Sequence, residues 1–191
     1  MTNITIFGTG NMGSAIGGIL SAGGHSVQHV DSSTRPEAIT GEIVILAVPY
    51  AALASIAENY GAQFAGKVVV DITNPITYAT FDGLDVPADS SAAAELAAAL
   101  PQSRVLKAFN TNFASTLASG SVGSQPTTVL VAGDDAEAKS TLAAALRAGG
   151  VDVVDAGPLA RAHELEAVGF LQMALAVSEQ ISWTDALGVI K

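Results

Sequence analysis

The residues best suited to do chemistry come first in this chain. Gly8, Thr9, Gly10, Asn11, Met12 and Gly13 form a GxGxxG pattern that follows an apolar run and precedes a stretch with helical spacing. In such a turn Gly8 makes the bend, Gly10 lets a pyrophosphate approach the backbone, and Gly13 lets helix and strand pack closely. The helix start offers oriented N–H groups and a partial positive charge, so a diphosphate can be held with no lysine beside it. The pattern therefore predicts a dinucleotide site. Eighteen residues on, Asp31 stands where a carboxylate accepts from the adenosine ribose and favours NAD. Ser32, Ser33, Thr34 and Arg35 follow it at once, three hydroxyls and a guanidinium suited to the 2′-phosphate of NADP. The two readings of cofactor preference stay open on the residues alone.

Other chemistries predict residues that are missing. A tyrosine with lysine four positions on, the pair of the short-chain dehydrogenases, does not occur: Tyr50, Tyr60 and Tyr78 are followed at that spacing by Ala54, Phe64 and Asp82. No GxSxG elbow is present, and a lysine suited to the hydroxyacid class is absent, since beyond Lys139 only Lys191 remains. Cysteine is lacking altogether, which removes thiolate catalysis, disulfides and thiolate metal sites. His25 and His29 share a strand face, but His163 is remote, so no metal is expected. Glu164 and Glu166 fall near the start of the last helix, where a structural role is expected. Hydride transfer between bound molecules proceeds by positioning, so no catalytic side chain is required.

The elements that must position these residues follow from periodicity. Short β-branched runs at 4–7, 25–30, 42–48, 67–73, 104–109, 127–132 and 151–154 alternate with Ala-rich helical stretches, which predicts a parallel sheet with crossover helices. In the first helix Ile16, Ile19 and Leu20 make the apolar stripe and Gly23 and Gly24 end it. Further helices are predicted at 50–64, 91–100, 135–148 and 159–183. Only about ten residues separate the second and third strands, barely enough for a crossover helix. The expected fold is α/β, a Rossmann-like doubly wound, mostly parallel sheet with a C-terminal helix. Residues 1–191 are expected to form a single dinucleotide-binding domain with 158–191 as a helical extension. Leu165, Val168, Leu171, Gln172 and Leu175 fall on one stripe of that last helix, which reads as intrachain core or as a homodimer contact. The long loop at 75–89 carries Tyr78, Phe81 and Pro87.

Composition bounds the partners. Eight Lys and Arg against 18 Asp and Glu give a net charge of −10, the wrong sign for a nucleic-acid or anionic-membrane partner. The longest apolar stretches fall short of a bilayer span and no leader is read, so a cytoplasmic location is expected. Aromatics are only 5% of residues, which disfavours a function needing many stacked rings.

Taken together, the motifs resemble the NADP-dependent reductases of the deazaflavin coenzyme F420, whose fold also forms the cytosolic domain of STEAP-type ferric reductases. The resemblance rests on IFGTGNMGSAIG at the start, LAVPYAAL at Leu46 to Leu53, VVDITNP at Val69 to Pro75, KAFNT at Lys107 to Thr111, VAGDD at Val131 to Asp135 and DAGPL at Asp155 to Leu159. It implies that Ala47, Val48, Pro49 and Tyr50, then Thr73, Asn74 and Pro75, then Ala108 and Asn110, lie on the nicotinamide side. It also implies NADP as cofactor, with NAD as the alternative, and F420 or a flavin as the small-molecule acceptor. On the residues, Asn74 can serve a ligand or form a turn before Pro75, and Asn110 can serve a ligand or cap the next segment. The other readings are a dinucleotide sensor without turnover and an imine reductase of the pyrroline-carboxylate type.

Overall fold

A computed structural model describes residues 1–33 and 38–189. Seven strands form one sheet in the order β2-β1-β3-β4-β5-β8-β9. The first five, β1 (Asn3–Phe7), β2 (Ser26–Val30), β3 (Ile43–Leu46), β4 (Val68–Asp71) and β5 (Arg104–Ala108), pair in parallel. Alternation of side chains splits each run between two faces. Ile4, Ile6, Ile43, Ile45, Val68 and Val70 point to one layer, with α1 (Asn11–Ala22) and α5 (Ala136–Ala148). Phe7, Val44, Leu46 and Val69 point to the other, with α2 (Leu53–Phe64) and α3 (Ala92–Ala99). Burial on both faces is why these strands read as unbroken apolar runs.

After β2 the chain crosses so that β3 lies on the far side of β1, with no helix among the described residues 31–33 and 38–42. The sign change in strand order around β1 opens a crevice at the carboxyl ends of β1 and β3, the usual ligand position in doubly wound sheets. The helices predicted at 91–100 and 135–148 open on side-chain caps. Ser91 accepts from the Ala94 N–H at 3.0 Å and Asp135 from the Ala138 N–H at 2.8 Å.

Four features depart from the sequence reading. β8 (Thr128–Gly133) pairs antiparallel to β5, and β9 (Asp152–Gly157) follows β8 in parallel, so the last two strands run against the rest. Between β5 and β8 lie a short α4 (Ala114–Ser119) and a small hairpin of β6 (Ser121–Val122) and β7 (Gln125–Pro126), too brief for periodicity to reveal. The last helix, α6 (Ala162–Val177), is preceded by a 3-10 turn at Leu159–Arg161 and stops before Trp183. Glu179 has a positive φ of 58°, which turns the chain out of the helix, and the following residues fold back over α4. The stripe read on α6 is also divided: Leu165 and Gln172 are buried, whereas Val168 and Leu171 face outward. Among the described residues no helix is long and apolar enough to cross a membrane, and no group of three metal-ligating side chains occurs.

Candidate active-site cleft

The glycine turn has the geometry the pattern predicts. Gly8 sits at φ 112°, and a Cβ there would run into the carbonyl oxygen of Ala47. A Cβ on Gly13 would strike the carbonyl of Gly8, so this turn closes only with glycine at both positions. Hydrogen bonds fix it to both neighbouring strands: Gly8 N–H donates to Val30 O, and Ala47 N–H to Phe7 O, each at 2.8 Å. His29 Nδ1 donates to Gly8 O at 3.1 Å, a support the sequence reading did not assign. Gly10 is the N-cap of α1, no side chain caps this helix, and an added Cβ would meet nothing within 4 Å. The first turn of α1 thus has open space beside Gly10, and the residues present fit a dinucleotide diphosphate.

From this opening a cleft of about 680 Å³ runs across the carboxyl ends of β1, β3, β4 and β5. It brings together Gly10, Asn11 and Met12 with Ala47, Val48, Pro49 and Tyr50, and with Thr73, Asn74 and Asn110. The other residues singled out in the sequence lie around it. Gly8, Thr9 and Gly13 build the turn behind; Pro75 and Ala108 are buried. Asp31 follows β2 outside the cleft, and its carboxylate accepts from Ser33 N–H at 2.8 Å and Ser33 Oγ at 2.7 Å. Ser32 and Ser33 are exposed on that turn, and Arg35 lies outside the described residues.

The floor is strained. Asn110 N–H donates to Ala108 O at 2.8 Å, closing a γ-turn in which Phe109 takes φ 63° while fully buried. Such a backbone costs roughly 1 to 3 kcal/mol for a bulky residue and persists only where its surroundings hold it. The holding groups are two amides. Asn110 Nδ2 donates to Asn74 Oδ1 at 2.9 Å and to Leu165 O at 2.7 Å, and Asn74 Nδ2 donates back to Asn110 O at 2.9 Å. The Asn74 amide, for which the sequence left a ligand contact or a turn before Pro75 open, pairs with Asn110. Asn110 caps nothing, since Phe113 opens α4 without a side-chain cap. A Cβ on Gly169 would collide with this pair, so α6 must present glycine there to close on the sheet.

Beneath the floor lies a charge cluster that the sequence reading missed. Lys107 Nζ, fully buried, sits 2.8 Å from Asp71 Oδ2 and 2.7 Å from Glu166 Oε1, and donates to Thr73 O. Glu166 Oε2 also accepts from Ala92 N–H at 3.0 Å, tying α6 to the start of α3. Burial pushes the Glu166 carboxyl above the usual carboxylate range, against the pull of Lys107. One signal was available: Asp71 and Lys107 stand opposite each other in register as charged residues in otherwise apolar strands. Tyr50 is held protonated by burial and by donating to Glu95 Oε2 at 2.6 Å.

Five aromatic side chains, Tyr50, Tyr78, Phe109, Phe113 and Trp183, line the cleft, although the whole chain has only six Phe, three Tyr and one Trp. Low aromatic content therefore did not disfavour a stacked ligand; it concealed a concentration at one place. Thr73 Oγ1, Asn110 Oδ1 and Asn112 Oδ1, all on cleft residues, are buried without a hydrogen-bond partner, which suits a ligand bearing N–H groups.

Comparison with known proteins agrees with this geometry. The profile of a family described as NADP oxidoreductase, coenzyme F420-dependent, matches residues 28–75. The chain is similar to the F420-dependent NADP oxidoreductases. An F420-dependent NADP reductase of Methanocaldococcus jannaschii is 29% identical over 161 residues, covering 82% of this chain and 72% of that protein. Metalloreductase STEAP3 of Rattus norvegicus is 36% identical over 138 residues, 70% of this chain; the chain spans 26% of that longer protein. Among solved structures, one from Arthrobacter, provisionally described as an F420-dependent NADP reductase, superposes with a TM-score of 0.86 over the whole of both chains at 24% identity. This likeness shows the Rossmann-like fold.

Proposed function

We propose that this chain is an NADP-linked oxidoreductase that passes a hydride between the nicotinamide of NADP(H) and a planar acceptor such as coenzyme F420 or a flavin. The observation that carries the reading is one continuous cleft that joins the open helix start at Gly10 to the aromatic floor at Phe109. The sequence similarity to an F420-dependent NADP reductase supports it. When bound, the dinucleotide supplies or receives the hydride, with one proton exchanged with solvent to complete reduction of the acceptor. The chain positions the two molecules. The N–H groups at Gly10 to Met12 hold the diphosphate, Ala47 to Pro49 wall the site, and Phe109, Phe113 and Met173 exclude water. Tyr50, committed to Glu95, stays a neutral wall rather than an acid. No catalytic side chain is assigned.

The decisive measurement is separate titration with NADPH and NADH, followed by cofactor fluorescence. Tighter NADPH binding is expected, with Arg35→Ala weakening NADPH alone by roughly 10- to 150-fold, the worth of a charge-assisted bond. Tighter NADH binding would transfer selection to Asp31, and binding of neither would end the proposal.

A further inference from the structure

Trp183, the chain's sole tryptophan, is 49% exposed and lines the cleft from the segment that follows α6. This segment is latched in place. Leu187 N–H donates to Gln172 Oε1 at 2.8 Å, and Gln172, itself buried, donates from Nε2 to Thr111 O at 3.2 Å. Ser115 Oγ donates to the Trp183 carbonyl, and the Phe113 ring braces the indole with centroids 5.0 Å apart at 52°. A half-exposed indole so held loses little entropy when a ring is laid on it.

Two further observations define that ring. None of the described side chains lining the cleft carries a charge, so away from the start of α1 at Gly10 to Met12 nothing there would pair with a phosphate or carboxylate. Asn112, just ahead of α4 and its N-cap Phe113, gives its Nδ2 to Thr128 O at 3.0 Å and leaves Oδ1 buried with no partner. That oxygen calls for an N–H donor.

Resting on the oxidoreductase reading for the existence of a second ligand, we infer that Trp183 and Asn112 form the acceptor subsite, selecting an uncharged planar heteroaromatic ring with an imide N–H. Trp183 is the stacking platform and Asn112 the acceptor of the ring N–H.

The test titrates NADP⁺-loaded protein with riboflavin, an uncharged ring with such an N–H, and reads the emission lifetime of Trp183. A saturable fall is expected, with N3-methylated riboflavin binding about tenfold or more weakly for the lost hydrogen bond. In turnover with NADPH, Trp183→Ala should raise KM for riboflavin by about 5- to 100-fold, the worth of one stacked ring. Trp183→Phe should stay within about threefold of wild type, and the NADPH affinity of both variants should be unchanged. An unsaturable lifetime change, an unchanged KM in Trp183→Ala, or equal loss of NADPH affinity would overturn the platform; equal binding of the methylated ring would overturn the role of Asn112. Saturable binding without turnover would support the subsite and count against the oxidoreductase reading instead, so the two fail separately.

Discussion

At Gly10 the backbone lies at φ −70° and ψ −173°, which any residue adopts, and a side chain would meet no atom of the protein within 4 Å. Gly10→Ala is therefore expected to lower unfolding free energy by no more than about 1 kcal/mol, the difference between the two residues at a helix N-cap. The methyl group would nevertheless occupy the space a diphosphate needs, and loss of one charge-assisted hydrogen bond should raise Kd for NADPH about tenfold or more. Calorimetric binding beside a denaturant melt checks both parts; an unchanged Kd would place the diphosphate elsewhere. Gly8 and Gly13 contrast with it, because a side chain there strikes backbone, that of Ala47 after β3 for Gly8 and that of Gly8 for Gly13. The three glycines share a motif but not a physical role: two close the turn and one leaves room.

Among the elements, α6 has the largest influence on the cleft. Its Leu165 carbonyl takes a hydrogen bond from Asn110, its Gly169 lies against the paired amides, and its Glu166 joins Lys107 and Asp71 under the floor. Removing one member of a buried ionic group leaves the others uncompensated, typically at about 3 to 5 kcal/mol, so the cluster binds α6 and α3 to β4 and β5. It also carries a pH signature. Because burial raises the Glu166 carboxyl, the folded state holds this proton more readily than the unfolded chain. The stabilising contribution of that proton is complete below the unfolded carboxylate value and fades as pH rises through the folded one. The difference in unfolding free energy between wild type and Glu166→Gln should thus move in favour of wild type as pH falls from 7 to about 5. Denaturant unfolding at the two pH values reads this; movement the other way would mean that Lys107 outweighs burial.

The molecule as a whole is an acid, with a net charge of −10, that we propose binds a polyanion. Local geometry at the start of α1 must overcome a repulsive field, and salt screens exposed charges over a Debye length of about 10 Å at 0.1 M. The association rate of NADPH is expected to rise as ionic strength increases from 10 to about 200 mM, the reverse of a site guarded by lysines. Stopped-flow fluorescence measures it, and a falling rate would mean that the cationic contact expected of Arg35 outweighs the net charge of the molecule during encounter.

Much of this whole was legible beforehand, for physical reasons that particular residues make plain. Strand runs buried on both faces, such as Ile43–Leu46, and capping residues such as Ser91 carry local signals that do not depend on distant neighbours. The glycine spacing likewise encodes a turn, part of whose sterics, the approach of Gly13 to the Gly8 carbonyl, lies within the motif, and the motif positions at 47–50 and 73–74 inherit their place from the strand ends they follow. What tertiary structure alone decided are relations between residues far apart in the chain. The Asn74–Asn110 pair joins positions 36 residues apart, and the Glu166 bond to Ala92 spans 74. Trp183 reaches the cleft only because the chain turns at Glu179 and folds back onto Ser115. Periodicity reports which face of an element is buried, not which group it meets there; those meetings are fixed when the layers close.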